Sequence, residues 1–234
     1  MALVRGAPPG WPASPFPTAG SYLDPDAMPM PYDTPRRLFL LQTAGLMLAL
    51  AGCGPKAEPA ASRFKNLHGM DFSDQDVRRD FALTDPQGRT RTLTDYRGKV
   101  VMVFFGFTQC PDVCPTALYR ATQIRKALGK DGEQLQVIFI TVDPERDTPE
   151  VLDKYVAAFD PGFVALYGTP EQTAATARNF NVFYQKVPTG SSYTMDHTAL
   201  SFVFDRHGKL QLALQHSQSV DECVDDLRQV FALA

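Results

Sequence analysis

Cysteine is scarce in this chain, with four in 234 residues, too few for a fold stapled by a dense disulfide framework. Neither sign of charge dominates: 23 Lys and Arg stand against 26 Asp and Glu, for a net charge of −3. No long basic block occurs, which sets aside nucleic acid as a partner. The one tryptophan, Trp11, lies in a proline-rich stretch outside the part expected to fold. The chain also lacks an internal repeat. Its apolar run Leu38–Ala51 covers about 14 residues, short of the roughly 20 that span a bilayer. The 44% hydrophobic composition is enough for one substantial core.

Residues 1–35 carry many of the prolines and little apolar periodicity, so they read as a disordered extension. Met28 or Met30 offers a start that would give the following signal a normal length. RRLFLLQTAGLMLALAGC then changes the grammar. Arg36 and Arg37 supply a positive head, the apolar run follows, and Leu50-Ala51-Gly52-Cys53 resembles a lipobox. Residues 36–53 are therefore expected to be a lipoprotein signal with Cys53 lipidated; a short membrane anchor with a chance cysteine is the alternative. The arginine pair also resembles a twin-arginine export signal, although Pro35 precedes it and Leu41 stands where lysine is usual. A lipidated Cys53 places the mature chain on the outer, extracytoplasmic face of the cytoplasmic membrane, where disulfides persist. Gly54 after it lacks the aspartate that retains such proteins at the inner membrane in enteric bacteria. Residues 54–70 then read as a flexible tether, leading to a folded domain over 71–234.

From about residue 70 strands and helices alternate. FALTDPQGRTRTL (81–93) reads as a hairpin turning at Asp85-Pro86-Gln87-Gly88. KVVMVFFGF (99–107) and LQVIFITV (135–142) are continuous β-branched and aromatic runs, the pattern of strands buried on both faces. A helix is expected over Thr116–Leu128, ending at Gly129. Thr148-Pro149-Glu150 and Thr169-Pro170-Glu171 each combine an N-cap, a proline in the first turn and an acid. VALYG (164–168) is a short strand between those helices. ALSFVF (199–204) and KLQLALQ (209–215) flank a four-residue turn and form a hairpin. Ser219 and Glu222 make a capping box for a last helix. This order predicts an α/β fold, a thioredoxin-like sandwich with a central mixed β-sheet flanked by helices and an N-terminal β-hairpin extension.

FFGFTQCPDVCPT (104–116) holds Cys110 and Cys114, each followed by proline. A proline disfavours the helical conformation in the residue before it, so the pair is expected in a loop. Pro115 suits the first helical position and leaves Cys114 at or near the N-cap, where free amides and the helix dipole favour a thiolate. Ligands bind at the carboxyl ends of strands in such sheets. A purely structural disulfide closing so short a loop would stabilise little. A redox couple or a soft-metal clamp remains.

Asp143 ends the second buried strand and is the site candidate of that loop; Asp147 and Thr148 read as ordinary turn and cap chemistry. Among the histidines, His68 and His207 are expected in solvent and His216 without a role. His197, in SSYTMDHTALSFVF at the end of a polar loop from Pro188, stays open between a structural and a ligating residue. Two thiolates and an imidazole without a fourth ligand fit structural zinc poorly and copper better. Cys223, beside Val224 on the last helix, reads as a small buried apolar residue.

With these residues assembled, the chain resembles the Sco/SenC family, copper chaperones for the binuclear copper centre of cytochrome c oxidase. The matching stretches are GKVVMVFFGFTQCPDVCPTAL, TVDPERDTPEVLDKYV and YTMDHTALSFVFD, and the likeness runs from about Asp71 to the C-terminus. The resemblance implies one copper ion, Cu(I) or Cu(II), held by Cys110, Cys114 and His197, with Asp143 supporting the site. Met195 adds a thioether where an aliphatic residue is common. The implied partner is the copper-bearing subunit of the oxidase, with an upstream periplasmic copper donor and a thiol reductant besides. The alternative function is a thiol–disulfide oxidoreductase that uses Cys110 and Cys114 as a redox-active pair to reduce that subunit's cysteines.

Overall fold

The computed structural model describes residues 62–75 and 79–233. The proline-rich extension, the lipobox with Cys53, and residues 54–61 of the expected tether lie outside the described residues. Among those described, no helix is long and apolar enough to cross a membrane.

Within the described residues ten strands and five helices follow in order: β1 (Met70–Asp71), β2 (Ala82–Thr84), β3 (Thr90–Thr92), a 3₁₀ turn (Leu93–Tyr96), β4 (Val100–Gly106), α1 (Val113–Leu128), α2 (Lys130–Glu133), β5 (Leu135–Thr141), α3 (Pro149–Ala157), β6 (Val164–Leu166), α4 (Pro170–Phe180), β7 (Tyr184–Thr189), β8 (Ser192–His197), β9 (Leu200–Phe204), β10 (Leu210–Gln215) and α5 (Val220–Phe231). The main sheet runs β1-β10-β9-β4-β5-β6. β4, β5 and β6 are parallel, while β9 and β10 return antiparallel beside β4. Every residue of β4 and β5 is buried, which is why both read as unbroken apolar runs instead of alternating ones. Phe105 is fully buried, edge-on to Phe180 and Phe202.

The expected caps are in place. Thr148, Thr169 and Ser219 each accept a backbone amide three residues on, relieving the unpaired amides of α3, α4 and α5. α1 and α5 pack together, and the Arg120 guanidinium of α1 donates to the His216 and Gln218 carbonyls just before α5. Cys223 is fully buried on α5, as expected of a small apolar residue, and burial pushes its thiol up to about 11.

Three expectations change. First, α1 starts at Val113, with Asp112 at the N-cap, so Cys114 is the second helical residue and Pro115 the third. Proline is tolerated there because the amides of the first turn have no intrahelical acceptor to lose. Second, the polar loop from Pro188 is the ribbon β7–β8, in register from Tyr184↔His197 to Thr189↔Ser192, with Gly190 at φ 64° in its turn. With half of its residues exposed and Met195 alone buried, the ribbon hides the period of two, and Pro188 fits a two-stranded ribbon that pairs with no other strand among the described residues. Third, the chain is already docked from Ser62. Phe64 is buried, the His68 and Gly69 amides donate to the Asp226 carboxylate of α5, and β1 covers the free edge of β10. A Cβ at Gly69 would lie 2.6 Å from the Ala213 carbonyl oxygen, so only glycine lets the segment approach so closely.

Candidate metal centre

β4 and β5 end side by side, Gly106 against Thr141, and the segments that follow them build one end of the molecule. The loop after β4 carries Cys110 into the start of α1. The segment after β5 carries Asp143, Arg146 and Asp147 towards α3. β8 brings His197 in from the ribbon.

The sulfurs of Cys110 and Cys114 and a ring nitrogen of His197 all lie within 4.8 Å of one another, the one such cluster of three or more His, Cys, Asp or Glu ligands among the described residues. All three sequence-predicted ligands therefore meet. Cys114 is fully buried and Cys110 half-buried; both thiols are free. The backbone amide of Cys114, one of the unpaired amides of the first turn, donates to Cys110 Sγ at 3.5 Å. A hydrogen bond from the Cys114 thiol, helped by that amide and by His197 and opposed by partial burial, pulls the Cys110 thiol down to about 5. Cys114 moves the opposite way: its bond to Cys110 and its burial hold it as a thiol well above the usual range. The metal-free pair is thus a half-exposed thiolate backed by a buried thiol.

His197 Nε2 lies 3.5 Å from Cys114 Sγ, while Nδ1 lies 3.1 Å from the Thr198 carbonyl oxygen. A carbonyl oxygen can only accept, so Nδ1 donates this hydrogen bond and Nε2 is the ring nitrogen turned to the sulfurs. A ring anchored through Nδ1 that presents Nε2 is the arrangement a metal ligand needs. Edge-to-face packing against Phe104 and Phe107, at 6.0 and 5.9 Å between centroids, fixes the ring plane. Two sulfurs, one of them accessible, and an oriented imidazole make a three-donor set suited to a soft metal ion.

Asp143 is buried but does not belong to the donor cluster. Its carboxylate accepts from the Tyr193 hydroxyl at 2.8 Å and from Arg146 Nε. Burial and the bond to Asp143 push Tyr193 up to about 12, keeping it a donor. Arg146 stacks 3.7 Å over the Tyr193 ring and also donates to the Gln109 side chain and the Tyr193 carbonyl. Asp143 thus joins the cysteine loop and the β8 ribbon through Arg146 and Tyr193. Neither residue was singled out in the sequence, because their roles depend on a ribbon the sequence does not announce.

Two further residues escape the sequence reading. A Cβ at Gly106 would lie 2.8 Å from both Cys114 Sγ and the Phe139 ring, so this glycine admits the buried sulfur. Asp147 is not turn or cap chemistry. It is 1% exposed and accepts from the amide and hydroxyl of Thr108 and from the Thr141 hydroxyl. Burial raises its carboxyl above the usual range, with these hydrogen bonds opposing. Its signal in the sequence, an acid beside a capping threonine, is the commonest place for an exposed one. Met195 is buried on β8. His68 and His207 are exposed as expected, and His216 is half-buried outside the cluster.

A model of the SCO1/SenC family matches residues 70–232. The chain is 32% identical over 203 residues to a mitochondrial SCO2 homolog of Bos taurus, covering 82% of this chain and 76% of that one. Among solved structures it resembles Bradyrhizobium japonicum ScoI with copper bound, at 40% identity and a TM-score of 0.60, over 66% of this chain and 99% of that one. It also resembles apo Sco1 from Thermus thermophilus, at 40% identity and a TM-score of 0.65, over 73% and 100%. The mixed sheet flanked by helices is the thioredoxin-like architecture these structures share with it. With 163 consecutive residues (70–232) inside the family match, the chain belongs to the SCO1/SenC family.

Proposed function

We propose that this chain is a copper metallochaperone for the binuclear copper centre of cytochrome c oxidase, holding one copper ion through Cys110, Cys114 and His197. The observation that carries the reading is the convergence, within 4.8 Å, of two sulfurs and an oriented imidazole from three separate segments. Thiolates favour Cu(I), and mixed thiolate–imidazole sites also hold Cu(II). A relative at 40% identity has been solved with copper bound. Copper is cargo here, so the site must also let go. Cys110 is the half-exposed ligand, where an incoming thiolate of the acceptor subunit can begin ligand exchange, with Cys114 and His197 released later. Asp143 supports the arrangement through Tyr193 and Arg146. An upstream periplasmic copper donor and a thiol reductant complete the cycle.

The polarised thiol pair favours a second reading, thiol–disulfide exchange. The Cys110 thiolate attacks a disulfide of the acceptor and displaces one of its thiolates. Cys114, losing its proton, then attacks Cys110 and frees the other. The acceptor gains two electrons and the pair becomes a disulfide. Only copper transfer needs His197. Copper binding and acceptor-thiol reduction are therefore compared in His197→Ala and in Cys110→Ser/Cys114→Ser. If His197→Ala binds copper as tightly as the parent, the three-ligand site is wrong. If the parent reduces acceptor cysteines catalytically and retains no copper, the reductase reading replaces the chaperone.

The proposal includes export and anchoring through a lipid on Cys53, which sets the domain on the extracytoplasmic side of the cytoplasmic membrane, where the acceptor subunit's copper domain lies. Mass spectrometry of the membrane-extracted protein tests this: the mature chain begins at a lipidated Cys53, and a chain beginning earlier removes the anchor.

A further inference from the structure

We propose that Asp147 is the positioning residue of the cysteine loop, a buried carboxylate reaching over from the segment after β5 to fix where Cys110 meets Cys114. Both the amide and the hydroxyl of Thr108, two residues before Cys110, donate to this one carboxylate, at 3.1 and 2.5 Å. The Thr141 hydroxyl donates to the carboxylate oxygen that also takes the Thr108 amide and itself accepts the Asp143 amide. Asp147 is held in turn by its own amide, which donates to the Asp143 carbonyl at 3.0 Å. The carboxylate therefore ties the end of β4 to the end of β5, directly beneath the loop. The other ties of that loop are the Cys110 amide to the Phe107 carbonyl at 3.3 Å and Arg146 to the exposed Gln109 side chain at 3.1 Å.

Helix capping does not explain the residue. The cap of α3 is Thr148, whose hydroxyl accepts the Val151 amide. A carboxylate 1% exposed is expensive to desolvate and is stable only when its lone pairs are taken up. Here three donors take them up, two of them from the loop that carries the ligands. Outer groups of this kind govern how well a metal site is preorganised. The copper side of the inference rests on the function proposed above, whereas the loop geometry is present in the metal-free protein.

The test uses Asp147→Ala, Asp147→Asn and Thr108→Val in the mature protein. Folding is followed by far-UV circular dichroism, copper affinity by competition with a chelator, and the Cu(II)–thiolate absorption by titration with copper alone. The alkylation rate of Cys110 is measured without metal. Asp147→Ala is expected to fold, to bind copper about 10- to 100-fold more weakly, to shift the absorption and to change the alkylation rate. Asp147→Asn recovers most of this, because its carbonyl still accepts the Thr108 amide and a threonine hydroxyl can turn to accept its NH2. Thr108→Val shows a smaller loss of the same kind. Parent affinity, spectrum and alkylation rate in a folded Asp147→Ala overturn the proposal. An Asp147→Asn as impaired as Asp147→Ala also overturns it, since charge and not position would then matter. If Asp147→Ala does not fold, parent behaviour in Thr108→Val overturns it equally. If the parent itself binds no copper, the copper reading fails, and the metal-free alkylation rates still decide the role of Asp147.

Discussion

Nε2 of His197 and Sγ of Cys114 lie 3.5 Å apart although 83 positions separate them in the chain. The contact joins the ribbon β7–β8 to the first turn of α1, and neither element supplies a complete set of ligands alone. Replacing His197 with alanine removes a donor and leaves the sheet intact. Copper affinity is expected to fall by more than the 10- to 100-fold that follows the loss of an outer hydrogen-bond partner. The far-UV circular dichroism spectrum stays unchanged. Isothermal titration with a competing chelator checks it.

The two thiols should titrate far apart. Cys110, at about 5, alkylates at a rate that plateaus above about pH 6, whereas an ordinary thiol gains reactivity up to about pH 8.5 and beyond. Stability follows with a definite sign. Between about pH 5 and pH 8.5 the unfolded chain holds the Cys110 proton that the folded chain has lost, so the stability of the reduced protein rises with pH. Above about pH 8.5 the folded chain keeps the Cys114 proton that the unfolded chain gives up, so stability declines again. Denaturation of the reduced, metal-free protein across this range, set against the Cys110→Ser/Cys114→Ser double variant, isolates the effect. A flat difference between the two contradicts it.

Gly106→Ala should disturb the site from below. The new methyl would sit 2.8 Å from Cys114 Sγ and from the Phe139 ring, both in a close-packed core. Overpacking of this kind destabilises by about 1–3 kcal/mol. Because the sulfur has to move, copper affinity falls as well. Urea denaturation and a copper titration on the same preparation measure the two effects.

Much of this was legible in the sequence. Threonine–proline–acid triplets announced α3 and α4 because caps are local chemistry, and the apolar runs announced β4 and β5 because both of their faces are covered. The prolines after Cys110 and Cys114 placed the pair between strand and helix. What the sequence hid depends on contacts between distant segments. The ribbon β7–β8 lacks the apolar alternation of a half-buried strand, since half of its residues are exposed and Met195 alone among them is buried. Asp147 sits where an exposed cap neighbour is usual, and only the fold brings Thr108 above it. The docking of residues 62–71 was equally silent, because the Asp226 that receives them is an acid on the buried face of α5, beside Cys223 and Val230, where an acid in the sequence reads as a solvent-facing residue.

Asp226→Ala tests that docking. The substitution leaves the His68 and Gly69 amides and the Gln218 side chain without their acceptor. A loss of about 1–3 kcal/mol is expected for donors buried unpaired. Hydrogen exchange at His68 and Gly69 accelerates, and copper affinity stays at the parent level, because no ligand of the cluster touches Asp226.

The most direct test of the central claim is X-ray absorption spectroscopy at the copper edge on the protein loaded with one equivalent of copper, parent beside His197→Ala. The account predicts two sulfur scatterers and one imidazole nitrogen in the parent, with the imidazole signal lost in the variant. A parent spectrum without an imidazole contribution, or one unchanged by His197→Ala, would contradict it.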